Sequence, residues 1–441
     1  MKKHNKTALV KALGLAGASL LAAAPALATE TRINSLSAGG STFGGSGAIF
    51  NEKSVTIQDS SNINSLPQYL PKYKNSVDTD ATQGAKYGSM SVRYALSDEA
   101  VLLLYGKSSA WAPVATSKSI GGSDAATAAG YSPSGQGIKD PTNHQFGVGF
   151  GMKAGENLRF GARLDIGGSR NDLDTNKLNS NTLIDFNAGV GFDLNETNNL
   201  DFGLNIRVGS FVNQDNNSGS ALDRYVGDGL FGVGLLAKGE FQVHQIAKLV
   251  PYFRFGYDAR GVAHFARSDE QGSGNEQKRG HLTDTQINLG ADLAISPVEG
   301  VLIQPGVGLA FRSTSLAGND QPGPQGSNIS EHDLEKARQM LPFYGFAAEA
   351  KAFDWMVLRL AARQTIIKTD TDNVAQQGKQ TTEFHASDVT NVVSTGVGLK
   401  LMGWKLDLNV APAFFNNGIY AVSGGTGTTP FAIDWALGYD W

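Results

Sequence analysis

The sequence predicts an all-β fold, namely a transmembrane antiparallel up-and-down β-barrel of about sixteen strands, with fourteen as the lower count. Apolar side chains recur at every second position over most of the chain, and short turns alternate with long polar connections. When each strand is phased by its apolar residues, the charged residues fall on the opposite face.

The alternation is clearest in two neighbouring segments near the middle of the chain. Ile184–Leu194 and Leu200–Val208 carry apolar side chains at even positions, and only Asn195–Asn199 separates them. About fifteen segments of this kind, each of about 9 to 13 residues, follow one another between Lys86 and Trp441. A further strand near Tyr69–Val77 would give the even number that bacterial single-chain barrels use.

The connections between these strands have two very different lengths. Turns such as Ala154–Asn157, Ser296–Gly300 and Met402–Gly403 are short. The connections at the other end are long, polar and rich in glycine: Lys107–Asn143, Gly168–Asn181, Ala259–Asp284, Ser313–Met340 and Lys368–Asp388. Outer-membrane barrels combine short periplasmic turns with long extracellular loops, so this pattern favours them.

A soluble β-barrel or sandwich is the alternative, and alternation alone does not exclude it. The apolar face persists for about five or six alternate positions in most strands, which matches the apolar band of about 25 Å that faces lipid. Soluble strands average only about five or six residues in total. Aromatic residues near strand ends suit a membrane interface: Tyr105, Phe146, Tyr257, Trp355 and Trp404.

Residues 1–28 predict a secretory signal peptide. Four lysines precede the apolar run Ala12–Ala24, and Ala26-Leu27-Ala28 provides a small-residue cleavage site. A membrane-anchoring helix is the alternative, but about 13 apolar residues fall short of the roughly 20 that a helix needs to span a bilayer. We therefore expect the remainder of the chain to be exported.

Composition restricts the classes of partner. Without the four lysines of the signal peptide, 33 Lys and Arg residues face 41 Asp and Glu residues, a net charge of about −8. An acidic chain is a poor partner for nucleic acid. The 441 residues include no cysteine, so disulfides and thiolate metal sites are excluded. With 54 glycines and 14 prolines, the composition is not that of a disordered chain.

No motif predicts an enzyme, a cofactor or a metal site. Gly147–Gly151 has the glycines of a phosphate-binding loop, but no helical pattern follows, so we expect small lumen-facing residues on a strand. Asp172–Asn176 begins like a calcium loop, but Lys177 replaces the required glycine. The seven histidines show no metal-ligand spacing, and no nucleophile elbow occurs. We predict no catalytic residues.

The last strand, Phe431–Trp441, has an apolar or aromatic residue at every odd position. It resembles the terminal strands of bacterial outer-membrane barrels, in which a final aromatic residue acts as a signal for the barrel-assembly machinery. The resemblance implies that Trp435, Tyr439 and Trp441 form such a signal, although Phe is usual at the end and Trp441 departs from it. It also implies location in the outer membrane of a Gram-negative bacterium, in contact with its lipid.

Charged residues on the lumen face are the candidate functional residues. We predict that they line a water-filled pore for small hydrophilic solutes, because charged rings of this kind impose a field on polar solutes. The alternative is that opposed charges pair with each other, or with a plug, across a filled lumen. The predicted pore-lining residues are Arg159, Arg163, Asp165, Asp201, Arg207, Arg254, Asp292, Arg312, Glu349, Arg359 and Arg363.

Residues 29–67 form an N-terminal segment that we expect to be a plug or a periplasmic extension, with the barrel over residues 68–441. The segment is rich in Gly and Ser and resembles the N-terminal hatch of the long-chain fatty-acid transporter family at Gly39-Gly40, Gly44-Gly45 and Asp59–Pro67, but lacks its usual Asn-Pro-Ala. This resemblance implies a hatch-gated transporter of hydrophobic compounds. A non-conducting surface or structural barrel remains a third class, and assembly into a homo-oligomer remains open.

Overall fold

A computed structural model of the chain describes residues 31–32, 36, 56–57, 59–81, 88–110, 142–174, 177–215, 223–266, 275–320, 334–375, 380–410 and 433–441. The predicted signal peptide, residues 1–28, lies outside them. Two 3-10 helices, η1 (Ser60–Asn64) and η2 (Pro67–Tyr73), precede sixteen strands. The strands are β1 Ser76–Ala81, β2 Gly88–Ala95, β3 Ala100–Ala110, β4 Thr142–Ala154, β5 Leu158–Asp174, β6 Lys177–Asp193, β7 Asn199–Asp215, β8 Asp223–His244, β9 Ala247–Ala266, β10 Asn275–Ile295, β11 Val301–Asp320, β12 Leu334–Phe353, β13 Met356–Ala375, β14 Gln380–Leu401, β15 Trp404–Val410 and β16 Ile433–Asp440.

The strands form one closed antiparallel barrel, as the alternation predicts. Each strand pairs with its neighbours in sequence, and β1 pairs with β16 from Ser76 opposite Asp440 to Ala81 opposite Trp435. Closure leaves no free sheet edge, which is the condition for a β-sheet to cross a bilayer. The predicted fold class is therefore confirmed, with sixteen strands rather than fourteen.

The two faces of the wall differ sharply in polarity. On β7, the side chain of Phe202 is 43% exposed on the outer surface, whereas its neighbour Asp201 is 0% exposed on the inner side. The outer face carries large apolar side chains on most strands, such as Phe150, Leu235 and Phe346. An apolar exterior around a charged interior is the inverse of a soluble protein and suits a lipid environment. Among the described residues, no helix is long and apolar enough to cross a membrane.

The strands are longer than the sequence predicts at the end away from the short turns. The segments predicted as long loops at 168–181, 259–284, 313–340 and 368–388 are largely continued strand pairs, so those predictions are wrong in extent. Above the lipid band both faces meet water, so the alternation fades while backbone pairing continues. In the predicted loop Lys107–Asn143, residues 111–141 lie outside the described residues.

The first strand is also placed differently. The sequence predicts a strand near Tyr69–Val77, whereas the structure has helix η2 at Pro67–Tyr73 and begins β1 at Ser76. Pro67 and Pro71 cannot donate to a strand ladder, which explains the helix. Asn75, with φ of 56°, turns the chain from the helix into β1, and its side-chain Oδ1 accepts a hydrogen bond from the Ala95 amide.

Aromatic side chains gather at the short-turn end of the barrel. The rings of Trp404 and Tyr439 lie 4.8 Å apart, and those of Tyr439 and Trp441 lie 6.5 Å apart. Trp435 also faces outward on β16, four residues before Tyr439. These rings suit a membrane interface, whereas recognition of Trp435, Tyr439 and Trp441 by the assembly machinery stays a prediction.

Candidate functional site

The interior of the barrel is where the predicted charged residues lie. All of them belong to strands on the inward-facing parity, and most are paired rather than exposed to open water. Arg163 pairs with Asp165, and Arg359 Nε lies 2.8 Å from Glu349 Oε2. Arg207 and Arg312 pair with Asp185 and Asp284, residues outside the predicted set. The other predicted residues with an inward position are Arg159, Asp201, Arg254, Asp292 and Arg363.

The N-terminal residues lie inside the barrel and fill part of this space. We call them the inner segment, defined by the described residues 31–32, 36, 56–57 and 59–73. Leu66 and Leu70 of this segment are 0% exposed, and Tyr69 is 1% exposed. They pack on the inward-facing Val101 and Leu103 of β3. The lumen is therefore occupied along the level that the segment crosses.

Helix η2 packs against a stretch of wall that consists of glycines. Gly151, Gly161, Gly189 and Gly203 face the lumen on four successive strands, β4 to β7. A Cβ atom on Gly151 would lie 2.6 Å from Leu70 Cβ, and one on Gly203 would lie 2.6 Å from a backbone oxygen. Any side chain at these positions would occupy the volume that η2 fills. The prediction of small lumen-facing residues at Gly147–Gly151 is confirmed: an added Cβ would meet Asp165 at Gly147, Leu103 at Gly149 and helix η2 at Gly151.

Polar contacts attach η2 to the same wall. Gln68 Nε2 donates to Asp201 Oδ1 at 3.2 Å and lies 3.3 Å from the Val190 carbonyl oxygen. The Tyr69 hydroxyl donates to Asp201 Oδ2, and the guanidinium of Arg159 lies 5.3 Å from the centre of the Tyr69 ring. Arg159 Nη2 is also 3.4 Å from Asp201 Oδ1. Asp201 is therefore a shared acceptor for the wall and the inner segment.

The inner segment reaches the opposite wall through Arg32. Its guanidinium donates from Nε and Nη2 to the two Glu349 carboxylate oxygens at 2.7 and 2.9 Å. Glu349 also accepts a hydrogen bond from Arg359 Nε, and Arg359 Nη1 donates to Asp407 on β15. Close by, Leu36 and Ile57 form a buried apolar cluster with residues of β12 and β13. The segment therefore spans the lumen from β4–β7 to β12–β13.

Asp59 joins the two helices to Arg32. Its Oδ1 accepts the Ser61 amide at 2.8 Å as the N-cap of η1, and its Oδ2 lies 3.4 Å from Arg32 Nη1. Burial raises the pKa of the Asp59 carboxyl to about 7, although Arg32 and the Ser61 amide act in the opposite direction. A carboxyl in water has a pKa near 3.9, so the docked segment holds a proton that a released one loses.

We expect docking of the inner segment to weaken as the pH rises from about 5 to about 7, because the raised pKa of Asp59 favours the docked state only while the carboxyl is protonated. Asp59→Asn should remove this slope and keep the cap, since Asn also caps helices. The measurement is the labelling rate of a cysteine placed at buried Leu70 in this cysteine-free chain, normalised to the denatured protein at each pH. Equal slopes in both proteins would refute the assignment.

Sequence reasoning did not select Arg32, Gln68 or Tyr69, which make the main contacts of the segment. None of them lies in an alternating strand, so phasing gives no information on them. The one usable signal is the run of lumen-facing glycines on neighbouring strands. Glycines leave a gap beside the wall, and a close-packed interior needs another segment of the chain to fill it.

A closed sixteen-strand barrel with an apolar outer surface and a charged interior defines the chain as an outer-membrane β-barrel protein. No family model matches the sequence, and no curated protein matches it. Among solved structures it is similar to the Pseudomonas putida toluene transporter TodX (11% identity, TM-score 0.39, 88% of this chain and 94% of that one). It is also similar to the ferric citrate transporter FecA, with 8% identity and a TM-score of 0.39 over 83% of this chain and 70% of that one. A third similar structure is the translocator domain of the autotransporter NalP from Neisseria meningitidis, with 14% identity and a TM-score of 0.31 over 65% of this chain and 90% of that one. The fold assignment rests on the strand pairing of this chain.

Proposed function

We propose that the protein is a gated outer-membrane channel for small hydrophilic solutes, closed in this conformation by its inner segment. The observation that carries the proposal is the attachment of the segment at both walls through Asp201 and Glu349. Such contacts exchange for water or for a solute at low net free energy, about 0.5 to 1.5 kcal/mol each for neutral bonds and about 1.5 to 3 for charged ones. Release also exposes the apolar side chains of Leu66 and Leu70, but it breaks no strand pairing of the barrel.

The charged wall favours a hydrophilic solute. Pairs such as Arg207 with Asp185 and Arg312 with Asp284 lie on the lumen side, above the level of the segment. Each pair joins two adjacent strands, β6 with β7 and β10 with β11, so the wall at this level presents charged groups that suit a polar solute better than an apolar one. In this proposal, the open pore that the sequence predicts corresponds to the state with the inner segment released. The alternative of a lumen filled by a plug corresponds to the closed state.

The second candidate is a hatch-gated transporter of hydrophobic compounds. One observation favours it: Val101 and Leu103 face the lumen under η2 and would be uncovered if the helix moved. Uncovered apolar wall could hold an apolar solute. This candidate predicts that release of the segment creates affinity for apolar compounds rather than ion conductance.

Planar-bilayer recordings of a release variant test the proposal. The variant Arg32→Gln, Gln68→Ala, Tyr69→Phe removes the donors to Glu349 and Asp201. We expect few conductance steps from the wild-type protein and regular steps from the variant. Lys74→Ala is the matched control, because Lys74 pairs with Asp98 at the exposed mouth and touches no lumen residue in the described contacts.

A reversible lock distinguishes release from general damage. Leu70→Cys with Gly151→Cys introduces the only two thiols of the chain. Their Cβ atoms would lie 2.6 Å apart in the docked position, and in the release variant η2 can move outward until they reach the spacing of about 3.8 Å that disulfides prefer. Added to the release variant, the oxidised pair should silence conductance and reduction should restore it. Large steps from wild type would contradict the closed state. Silence of the reduced release variant would refute the channel and leave the transporter of hydrophobic compounds and the non-conducting barrel, which binding of an apolar compound to the variant would distinguish.

A further inference from the structure

Most described hydrogen bonds between the inner segment and the charged side chains of the wall have the same direction. Among the described residues, side chains of the segment donate hydrogen bonds and carboxylates of the wall accept them. We call these wall carboxylates the acceptor set, which consists of Asp78, Asp80, Asp201, Asp292 and Glu349. We propose that the acceptor set is a binding site for a cationic, donor-rich solute, and that the inner segment occupies it as a surrogate ligand. This inference rests on the proposed gated channel.

Arg32 on Glu349 is the clearest instance. Two parallel N–H donors meet the two carboxylate oxygens at 2.7 and 2.9 Å, the bidentate geometry that a guanidinium makes with a carboxylate. Arg359 already holds Glu349 Oε2 at 2.8 Å from the wall side. The carboxylate is therefore oriented by the wall, with its remaining capacity directed into the lumen.

Hydroxyl and amide donors fill the other positions. The Thr56 hydroxyl donates to Asp292, whose second described partner is the neutral amide of Gln304 at 2.9 Å. The Ser60 hydroxyl lies 3.4 Å from Asp78 Oδ2. Release of the segment would remove the Thr56 donor and leave the Asp292 carboxylate with the Gln304 amide as its described hydrogen-bond donor, while Arg363 and Lys238 of the wall act on it through charge alone. A solute cation is then attracted to it.

The charge of the segment complements this wall. Its described residues include the cations Arg32 and Lys72 and one acid, Asp59, which pairs with Arg32 of the same segment. Three contacts have other chemistry: Arg163 donates to Asn64, Gln304 Nε2 donates to the Thr56 hydroxyl at 3.0 Å, and wall cations face the ring of Tyr69. None of them brings an acid of the segment to the wall. The segment thus imitates a cation with hydroxyl and amide donors.

Competition in the full-length chain tests the inference without requiring conductance. The probe is the labelling rate of Leu70→Cys, with free L-arginine as the cationic donor and L-glutamate and NaCl as matched solutes. A solute that binds only the released state raises the released population, and with it the labelling rate, by the factor 1 + [L]/Kd, which is about tenfold at ten times its dissociation constant. We expect this rise with arginine and little change with glutamate or with NaCl at equal ionic strength.

Two wall variants locate the site. Glu349→Gln should raise the basal labelling rate and flatten the response to arginine, since it removes the bidentate acceptor. Asp284→Asn should keep the response, because Asp284 pairs with Arg312 and Thr314 and touches no described residue of the inner segment. Equal effects of arginine and NaCl, or a full response in Glu349→Gln, would overturn the inference. A positive labelling result from a protein that never conducts would instead refute the channel alone.

Discussion

Gly161→Val should release helix η2 from the wall. The added Cβ would fall on the backbone of Pro67 and Gln68, which cannot move aside as the tip of a side chain can. Overpacking typically costs about 1 to 3 kcal/mol, so the fraction of released segment should rise by about fivefold to a hundredfold. The labelling rate of Leu70→Cys is the measurement. The strand itself should persist, because valine suits a pleated strand.

Gly106→Val is the control for this substitution. Gly106 lies on β3, where no atom outside its own neighbours comes within 4 Å of an added Cβ. We expect the labelling rate to stay at the wild-type value. If Gly161→Val labels no faster than Gly106→Val, helix η2 does not dock on the glycines as described.

Val148→Arg should destabilise the barrel in a bilayer by about 2 to 4 kcal/mol, the range for Arg on the lipid face near the midplane. Val148 lies on β4 between the outward-facing Phe146 and Phe150, and 42% of its surface is exposed. The measurement is reversible urea unfolding of the protein in lipid vesicles. The loss should leave the N-terminal contacts unchanged, because the substituted residue points away from the lumen.

Val243→Arg is the comparison at a different depth in the bilayer. Val243 also faces outward, with 56% of its surface exposed, but it lies one residue before the end of β8, next to the short turn at residues 245–246. There an arginine reaches the headgroup region, and the loss should be about 0 to 1 kcal/mol. Similar losses at both positions would mean that the outer face does not lie in a hydrocarbon layer of the expected depth.

Most of the wall could be predicted because lipid imposes a rule with period two. Phe202 and Asp201 illustrate the rule: Phe202 faces lipid and is apolar, whereas its neighbour Asp201 faces the lumen and is charged. The same rule assigned the correct face to Arg163, Asp165 and Glu349. It could not say which charges would pair, since pairing depends on the stagger between strands and on what fills the lumen.

The inner segment and β1 escaped prediction for a physical reason. Inside a barrel, a segment contacts wall on several sides, so its side chains follow no single period. Arg32 is therefore indistinguishable from a loop residue in sequence, and Tyr69 belongs to a predicted strand that the structure replaces with η2. Strand β1, with the sequence Ser-Val-Asp-Thr-Asp-Ala, has too few apolar residues to give an alternation signal. Its place is set by closure against β16 and β2.

The two residues that separate η2 from β1 decide how strong an opening solute must be. Lys74 and Asn75 tie the inner segment to a fixed strand, and the backbone of Asn75 also accepts the amide of Trp441 at 3.1 Å. A released segment therefore stays close to the wall at an effective concentration in the millimolar range. A solute at micromolar concentration must bind the acceptor set about a thousandfold more tightly than the tethered segment does, whereas a solute at millimolar concentration need only match it.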